Sequence, residues 1–363
     1  MLSGRGHEPW LLRRRARYAD VRARATWGKL RAAAAALAMV ALGMAAPAQA
    51  AGPHAVVFTS LCGAMAGSHP SKVKHVMFIL EENRSYRQVI GNPSVLGDPY
   101  INTVLVPSCG LATNYHSYSH PSLPNYLALT SGTAKGSASD TDCSVVTNCP
   151  QSQASIFSQL GNAGRSWREY AESMPANCYR SDDGYYLVRH APPPYYITSP
   201  VPVECGRWDV PLGTTTSGAF RSALSPTSDG LPAFSFVTPN ACDDMHSCST
   251  GRGDAWLKTW VPIIQKSAAY QSGQLVVFIT WDEGEGSDKA AGEHCWNSAH
   301  ANNSLYPSCW VATLVLSPHT KPGTHPGSYF NHLGLLGTAE DLLGLPRLST
   351  TTGYASLRSA FGL

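Results

Sequence analysis

Four segments of the chain are apolar almost without interruption: residues 73–80 (VKHVMFIL), 234–238 (FSFVT), 275–281 (LVVFITW) and 310–316 (WVATLVL). A strand with one wet face alternates apolar and polar positions, whereas a strand covered on both faces does not. These four are therefore expected to be interior strands of a sheet buried on both sides. Between them, apolar positions recur at helical spacing. Residues 155–164 run to a stop near Gly161–Gly164, residues 254–270 begin at Asp254 as the expected cap and contain Pro262, and residues 331–346 run to Pro346. Strands alternating with helices predict an α/β fold, a mostly parallel central sheet sandwiched by helices. One domain over residues 51–363 accommodates it. Residues 178–232, rich in Tyr, Pro, Ser and Gly, read as irregular loops decorating that core.

The first 50 residues follow another pattern. Residues 1–31 hold nine Lys or Arg against two acids, and an apolar run (AAAAALAMVALGMAAP) then ends in the small residues AQA at 48–50. That order predicts a secretory signal peptide cleaved after Ala50. Its apolar core is short for a membrane span of about 20 residues, with a retained anchor as the alternative. Arg13–Arg15 is a partial twin-arginine feature. No cysteine follows the cleavage region to take a lipid.

Removing this segment changes the charge. The full chain is formally +3, but residues 51–363 hold 18 Lys or Arg against 22 Asp or Glu, formally −4. The basic character belongs to the export signal, so nucleic acid is not an expected partner. No second long apolar run predicts a stable membrane anchor after cleavage. All ten cysteines lie beyond residue 50. An even count in an exported chain predicts disulfides, here five by nearest-neighbour pairing, from Cys62–Cys109 to Cys295–Cys309. No CxxC pair occurs, which disfavours a cysteine zinc site. The expected destination is extracellular or a periplasm-like cell-wall space.

Candidate chemistry stands at the strand ends. After residues 73–80 come Glu81, Glu82 and Asn83; after 234–238 come Asn240, Asp243, Asp244 and His246; after 275–281 come Asp282, Glu283 and Glu285. Ligands of open α/β sheets bind beyond the carboxyl ends of the strands. Carboxylates converging there repel unless a cation sits among them, so a bound divalent metal is expected. His332 opens the last predicted helix. The segment SHPSLPNYLALTSG (119–132) places Ser122 at a helix start. Ser122 can cap that helix, with Gly132 as its stop. It can instead be a nucleophile, since a helix N-terminus attracts phosphate and a metal lowers a hydroxyl pKa. Asn125 and His120 stand close by in sequence as candidate substrate contacts. A Ser-His-Asp hydrolase would place its serine in a Gly-x-Ser-x-Gly elbow, which Ser122 lacks.

The segments HVMFILEENRSYRQVIG, HPSLPNYLALTSG, FVTPNACDDMHSCSTGRGDAWL, LVVFITWDE and NHLGLLGTAEDLLGLP resemble, in order, the bacterial phosphoesterase family of the alkaline-phosphatase-like superfamily. That family holds secreted acid phosphatases and phospholipases C. Within it the motifs are most similar to mycobacterial acid phosphatases acting on phosphatidylinositol 3-phosphate. The resemblance implies that Glu82, Asn83, Asp282 and Glu283 bind metal together with Ser122, the nucleophile. It implies that Asp244 and His246 are catalytic, and that with His332 they contact phosphate or fill a second metal position. Glu283 and Asn83 depart from the ligands of a two-zinc site and favour one hard cation, Ca²⁺, Mg²⁺ or Mn²⁺ before Zn²⁺. The implied activity is hydrolysis of phosphate monoesters, with a phosphoinositide lipid among the candidate substrates. A phosphodiesterase of the phospholipase C type and a non-catalytic exported binding module are the alternatives.

Overall fold

The computed structural model describes residues 61–68, 73–143, 148–284 and 309–363. The expected signal peptide, Glu285 and Cys295 lie outside the described residues. Among the described residues eight strands form one sheet: β1 (His75–Glu81), β2 (Gly110–His116), β3 (Trp167–Ala171), β4 (Asp209–Pro211), β5 (Phe234–Thr238), β6 (Leu275–Trp281), β7 (Trp310–Leu316) and β8 (Phe330–Asn331). Their order is β4-β3-β5-β1-β6-β7-β2-β8. The strands β1, β5 and β6 are buried at every position, which is why their sequences do not alternate.

The sheet is mixed but mostly parallel, as expected. The exception is β7, which runs antiparallel to both β6 and β2. An apolar run fixes burial but not direction, so this reversal is invisible in the pattern. At the centre, Phe78 of β1 meets Phe234 edge-on at 5.0 Å and Phe278 at 5.8 Å. Such pairs add directional packing to the area they bury.

Three sequence expectations are corrected. Asp254 does not cap its helix, which runs Thr250–Gln265 from an N-cap at Ser249. Instead the Asp254 carboxylate accepts hydrogen bonds from the backbone N–H groups of Tyr100 and Ile101 at 3.1 and 2.7 Å. Residues 178–232 are more than decoration: they supply β4, a helix at Val201–Trp208 and a short one at Ala219–Ala223. Ser122 opens the Ser122–Ser131 helix, but the N-cap is Pro121 and no side chain caps it. Gly132 does end that helix, in the left-handed conformation that a glycine tolerates without strain (φ 73°).

Among the described residues four disulfides join Cys62–Cys109, Cys143–Cys149, Cys178–Cys205 and Cys242–Cys248. These are four of the five nearest-neighbour pairs, and no described cysteine is free. No described helix is long and apolar enough to cross a membrane.

Candidate active site

Strand register builds the site. Glu81 of β1 lies opposite Trp281 of β6, so the next residues, Glu82 and Asp282, leave the sheet side by side. Asp282 N donates to Glu81 O at 3.0 Å, and Glu82 N donates to Asp244 O at 2.7 Å. Three strand ends are thereby tied together by backbone before any side chain acts. Asn83 then turns with φ 51°, a left-handed conformation that asparagine tolerates better than most residues. That turn aims its N–H at Asp282 Oδ1, 3.0 Å away.

Ser122 reaches this edge from the helix above. Its Oγ donates to Glu82 Oε2 at 3.0 Å, with both residues buried. The hydroxyl faces the acids and leaves its own helix uncapped. The helix start is not an open anion cradle, because Leu123 N donates to Asp142 Oδ1 at 2.9 Å and Pro124 has no N–H. Any anion at Ser122 must draw on other donors as well.

Around this pair the predicted residues are placed as follows. Asp244 is fully buried; its Oδ1 accepts from His246 N at 2.7 Å. His246 is half-buried, its Nδ1 3.0 Å from Ser247 Oγ. Glu283 Oε2 is 2.9 Å from His120 Nδ1 and accepts from Asn125 Nδ2 at 3.2 Å. Asn125 Oδ1 also accepts from the N–H groups of Tyr118 and Ser119, each at 2.9 Å. Asn125 therefore holds the 118–121 turn in shape. His332 lies behind Asp282: its Nε2 donates to Asp282 O at 2.7 Å, and its Nδ1 faces Tyr115 Oη at 2.9 Å. Both ring nitrogens are spent inside the protein, and burial lowers the His332 pKa to about 4, so the ring is neutral.

Sequence reasoning missed His190. This buried residue places Nε2 3.2 Å from Glu82 Oε1 and Nδ1 3.3 Å from Asp244 Oδ2. Its ring stacks on Tyr126 of the Ser122 helix, centroids 5.1 Å apart and planes within 6°. His246 is 5.6 Å away, ring to ring. No local motif marks His190. The available signal was a lone histidine next to the run APPP, inside a segment read as loops.

The electrostatics ask for positive charge. Burial first, then the neighbouring Asp282 and Asp244, raises the Glu82 pKa well above the ordinary carboxyl value. Burial and Glu283 do the same for Asp282, and burial does so for Asp244. Burial also pushes His190 toward the neutral form. Glu82 Oε1, Asp244 Oδ2, Asp282 Oδ2 and His190 Nε2 are buried without a well-formed hydrogen bond. Such orphaned acceptors among carboxylates are the arrangement a cation satisfies. Glu82, His190 and His246 each offer a donor atom within 4.8 Å of the others. Cys178, Cys205 and Asp209 are equally close together, but those sulfurs form a disulfide and cannot ligate as thiolates.

Comparison with known proteins bears on the family and the fold. The phosphoesterase family model matches residues 98–346. A phosphatidylinositol-3-phosphatase from Mycobacterium tuberculosis is 32% identical over 287 residues, spanning 78% of this chain and 79% of that protein. An acid phosphatase from Aspergillus fumigatus is 23% identical over 251 residues, which is 66% of this chain and 49% of the fungal protein. The chain thus spans about half the length of that fungal relative. Among solved structures, an alkaline phosphatase superfamily protein from Vibrio parahaemolyticus superposes with a TM-score of 0.52 at 13% identity, covering 80% of this chain and 70% of that one. Eight mostly parallel strands, an acidic edge over β1 and β6 and the match over residues 98–346 converge: the chain belongs to the phosphoesterase family, hydrolases built on the alkaline phosphatase superfamily fold.

Proposed function

We propose that this chain is an exported, metal-dependent phosphomonoesterase with Ser122 as nucleophile. The observation that carries the reading is the buried hydrogen bond from Ser122 Oγ to Glu82 Oε2, amid carboxylates of which one oxygen each has no well-formed hydrogen bond. Glu82, Asn83, Asp282, Glu283 and Ser122 would hold a hard divalent cation, with His190 and His246 beside Glu82 as nitrogen donors. When bound, that ion supplies positive charge that favours the serine alkoxide and balances the phosphoryl oxygens.

The protein's own groups do the remaining work. Ser122 Oγ attacks phosphorus and releases its proton along the existing hydrogen bond toward Glu82 Oε2. The P–O bond to the leaving alcohol breaks, and a water then hydrolyses the phosphoserine. Asp244 acts through its neighbours, since it orients His190 and the His246 backbone. Glu283 and Asn125 fix His120 and the turn before Ser122. His332 supports the Asp282 backbone from behind, a positioning role distinct from the phosphate contact or second metal position that the resemblance implied.

Four disulfides in the described residues support an oxidising compartment and hence export. The name of the mycobacterial relative supports a phosphoinositide as the finer substrate proposal. The test is hydrolysis of p-nitrophenyl phosphate and of its bis-ester, before and after dialysis against chelator. We expect turnover of the monoester, loss of it on chelation and recovery with one of Ca²⁺, Mg²⁺, Mn²⁺ or Zn²⁺. Faster turnover of the bis-ester would favour the phosphodiesterase alternative. Full activity without detectable metal would overturn the cation.

A further inference from the structure

We propose, resting on the phosphomonoesterase reading above, that the Cys242–Cys248 disulfide is a redox-sensitive positioning element of the active site. When an external dithiol opens it, the turn that carries Asp244 and His246 loses its shape and turnover falls.

Cys242 and Cys248 are 6 residues apart, yet their Cα atoms lie 4.8 Å from one another. An extended span of that length would reach about 20 Å, so the chain doubles back between them. Asp244 and His246 stand inside the doubled segment, whereas the other short ring, Cys143–Cys149, holds none of the candidate site residues. Backbone bonds follow the same shape: Asp244 N donates to Asn240 O at 2.8 Å, and Ser247 N donates to Ala241 O at 2.6 Å. The segment is also strained. Met245 has φ 78°, in the left-handed region that residues other than glycine rarely adopt, and it is fully buried. Gly253 of the Thr250–Gln265 helix comes so close that a Cβ there would lie 2.5 Å from Met245 Cε. Backbone in such a conformation persists only where its surroundings over-determine it. The disulfide is the covalent part of those surroundings.

Two links carry the shape of this loop to the reacting groups. Asp244 O accepts from Glu82 N at 2.7 Å, and Asp244 Oδ2 lies 3.3 Å from His190 Nδ1, so a shift of the loop moves the acid that Ser122 Oγ meets. Arg84 is the second link. Its Nη2 donates to Cys248 O at 2.8 Å and its Nη1 to Asn83 O at 2.6 Å, which ties the disulfide to the turn that aims Asn83 N–H at Asp282.

Solvent reaches this disulfide more readily than the others described. Cys242 and Cys248 are both half-buried, whereas Cys62, Cys109, Cys149 and Cys205 are buried, so each of the other three pairs has at least one cysteine shielded. Exchange begins with attack on a sulfur and depends on access to it. A thiolate of the dithiol attacks one of the two sulfurs, the S–S bond breaks, and a mixed disulfide and one free cysteine result. The second sulfur of the reagent then displaces the other cysteine. Two electrons pass to the protein, the reagent leaves as a cyclic disulfide, and its two protons end on the two cysteine thiols.

The test is brief treatment of the native protein with dithiothreitol, removal of the reagent, alkylation of the new thiols and peptide mapping. Cys242 and Cys248 are expected to be alkylated first. At that stage kcat for p-nitrophenyl phosphate should be lower by at least about ten-fold, the usual cost of losing a group that orients a site. A parallel sample left unalkylated should recover on reoxidation. Hydrogen exchange over residues 240–248 of chelator-treated protein should speed up on reduction while β2 stays as protected as before, a readout that needs neither metal nor Ser122. The double variant Cys242→Ser, Cys248→Ser should show the same lowered kcat, with no further response to dithiothreitol. Unchanged kcat and exchange with both cysteines fully alkylated would overturn the proposal. Earlier opening of another pair would do so too, as would unfolding of the whole chain on reduction, which would make this disulfide a general staple. If the oxidised protein does not hydrolyse the monoester, the phosphomonoesterase reading fails instead, and the exchange rates decide whether the disulfide holds the turn.

Discussion

Ser122 and His190 show what a single residue's surroundings decide. In sequence, Ser122 reads as a helix cap or as a nucleophile, because the local pattern allows both. The fold removes the cap, since the hydroxyl leaves the helix and donates to Glu82 instead. Ser122→Ala is therefore expected to abolish turnover, by at least about 1,000-fold, while leaving thermal unfolding nearly unchanged. A true cap would lose about 0.5–2 kcal/mol on the same substitution. Calorimetry beside a kcat measurement distinguishes the two. His190 is the opposite case: nothing local marks it, because its meaning comes from three segments meeting in space. Sequence delivered Glu82 and Asp244 as separate strand-end acids; the histidine that lies between them is visible only in the fold. His190→Gln should lower metal affinity or kcat by about 10–100-fold, the usual cost of losing a ligand or its orienting partner. Metal content after dialysis, read with kcat, checks it, and wild-type values for both would leave His190 a packing residue.

At the scale of elements, legibility followed burial. The strands β5, β6 and β7 were readable to the residue and β1 within two, because long apolar runs have few other uses. The strands β2 (GLATNYH) and β3 (WREYA) were missed because five of the seven positions of β2 are polar or small and β3 is interrupted by Arg and Glu, and β4 and β8 because three and two residues carry no period. Missing β3 and β4 also hid a carboxyl pair. Glu169 of β3 lies opposite Asp209 of β4 in parallel register, and both are fully buried. Burial first, and then Asp209, raises the Glu169 pKa well above its ordinary 4.5; burial raises Asp209 well above 3.8. Tyr186 feels both charges as well. Each carboxyl binds its proton more tightly in the folded state. The associated stability is present below the ordinary carboxyl values and is lost as pH rises through the raised, folded ones. The edge of the sheet should therefore hold best in acid. Glu169→Gln should flatten the fall in unfolding free energy toward alkaline pH and make the protein more stable than wild type at pH 8. Urea unfolding at several pH values measures this, and parallel pH curves for the two proteins would refute it.

For the whole molecule, the sequence order of five motifs implied the family, and the family match and the sheet bear it out. The acids at the strand ends were legible because the carboxyl edge of a parallel sheet is a general place for ligands. Side-chain roles were less so. His332, Asn125 and His120 occupy the expected neighbourhood, yet their hydrogen bonds serve protein groups, and only coordinates reveal where a ring nitrogen is spent. The same holds for charge. A count of −4 beyond residue 50 says nothing about three buried acids sharing one edge, and that convergence is what the proposed cation rests on.

The central claim is a covalent bond between phosphorus and Ser122 Oγ during turnover. It is tested most directly by quenching the protein in acid while it turns over p-nitrophenyl phosphate and mapping phosphorylated peptides by mass spectrometry. One phosphoryl group is expected on Ser122, present in the wild type and absent from Ser122→Ala. Steady turnover by Ser122→Ala, or a phosphoryl group trapped on another residue, would contradict it.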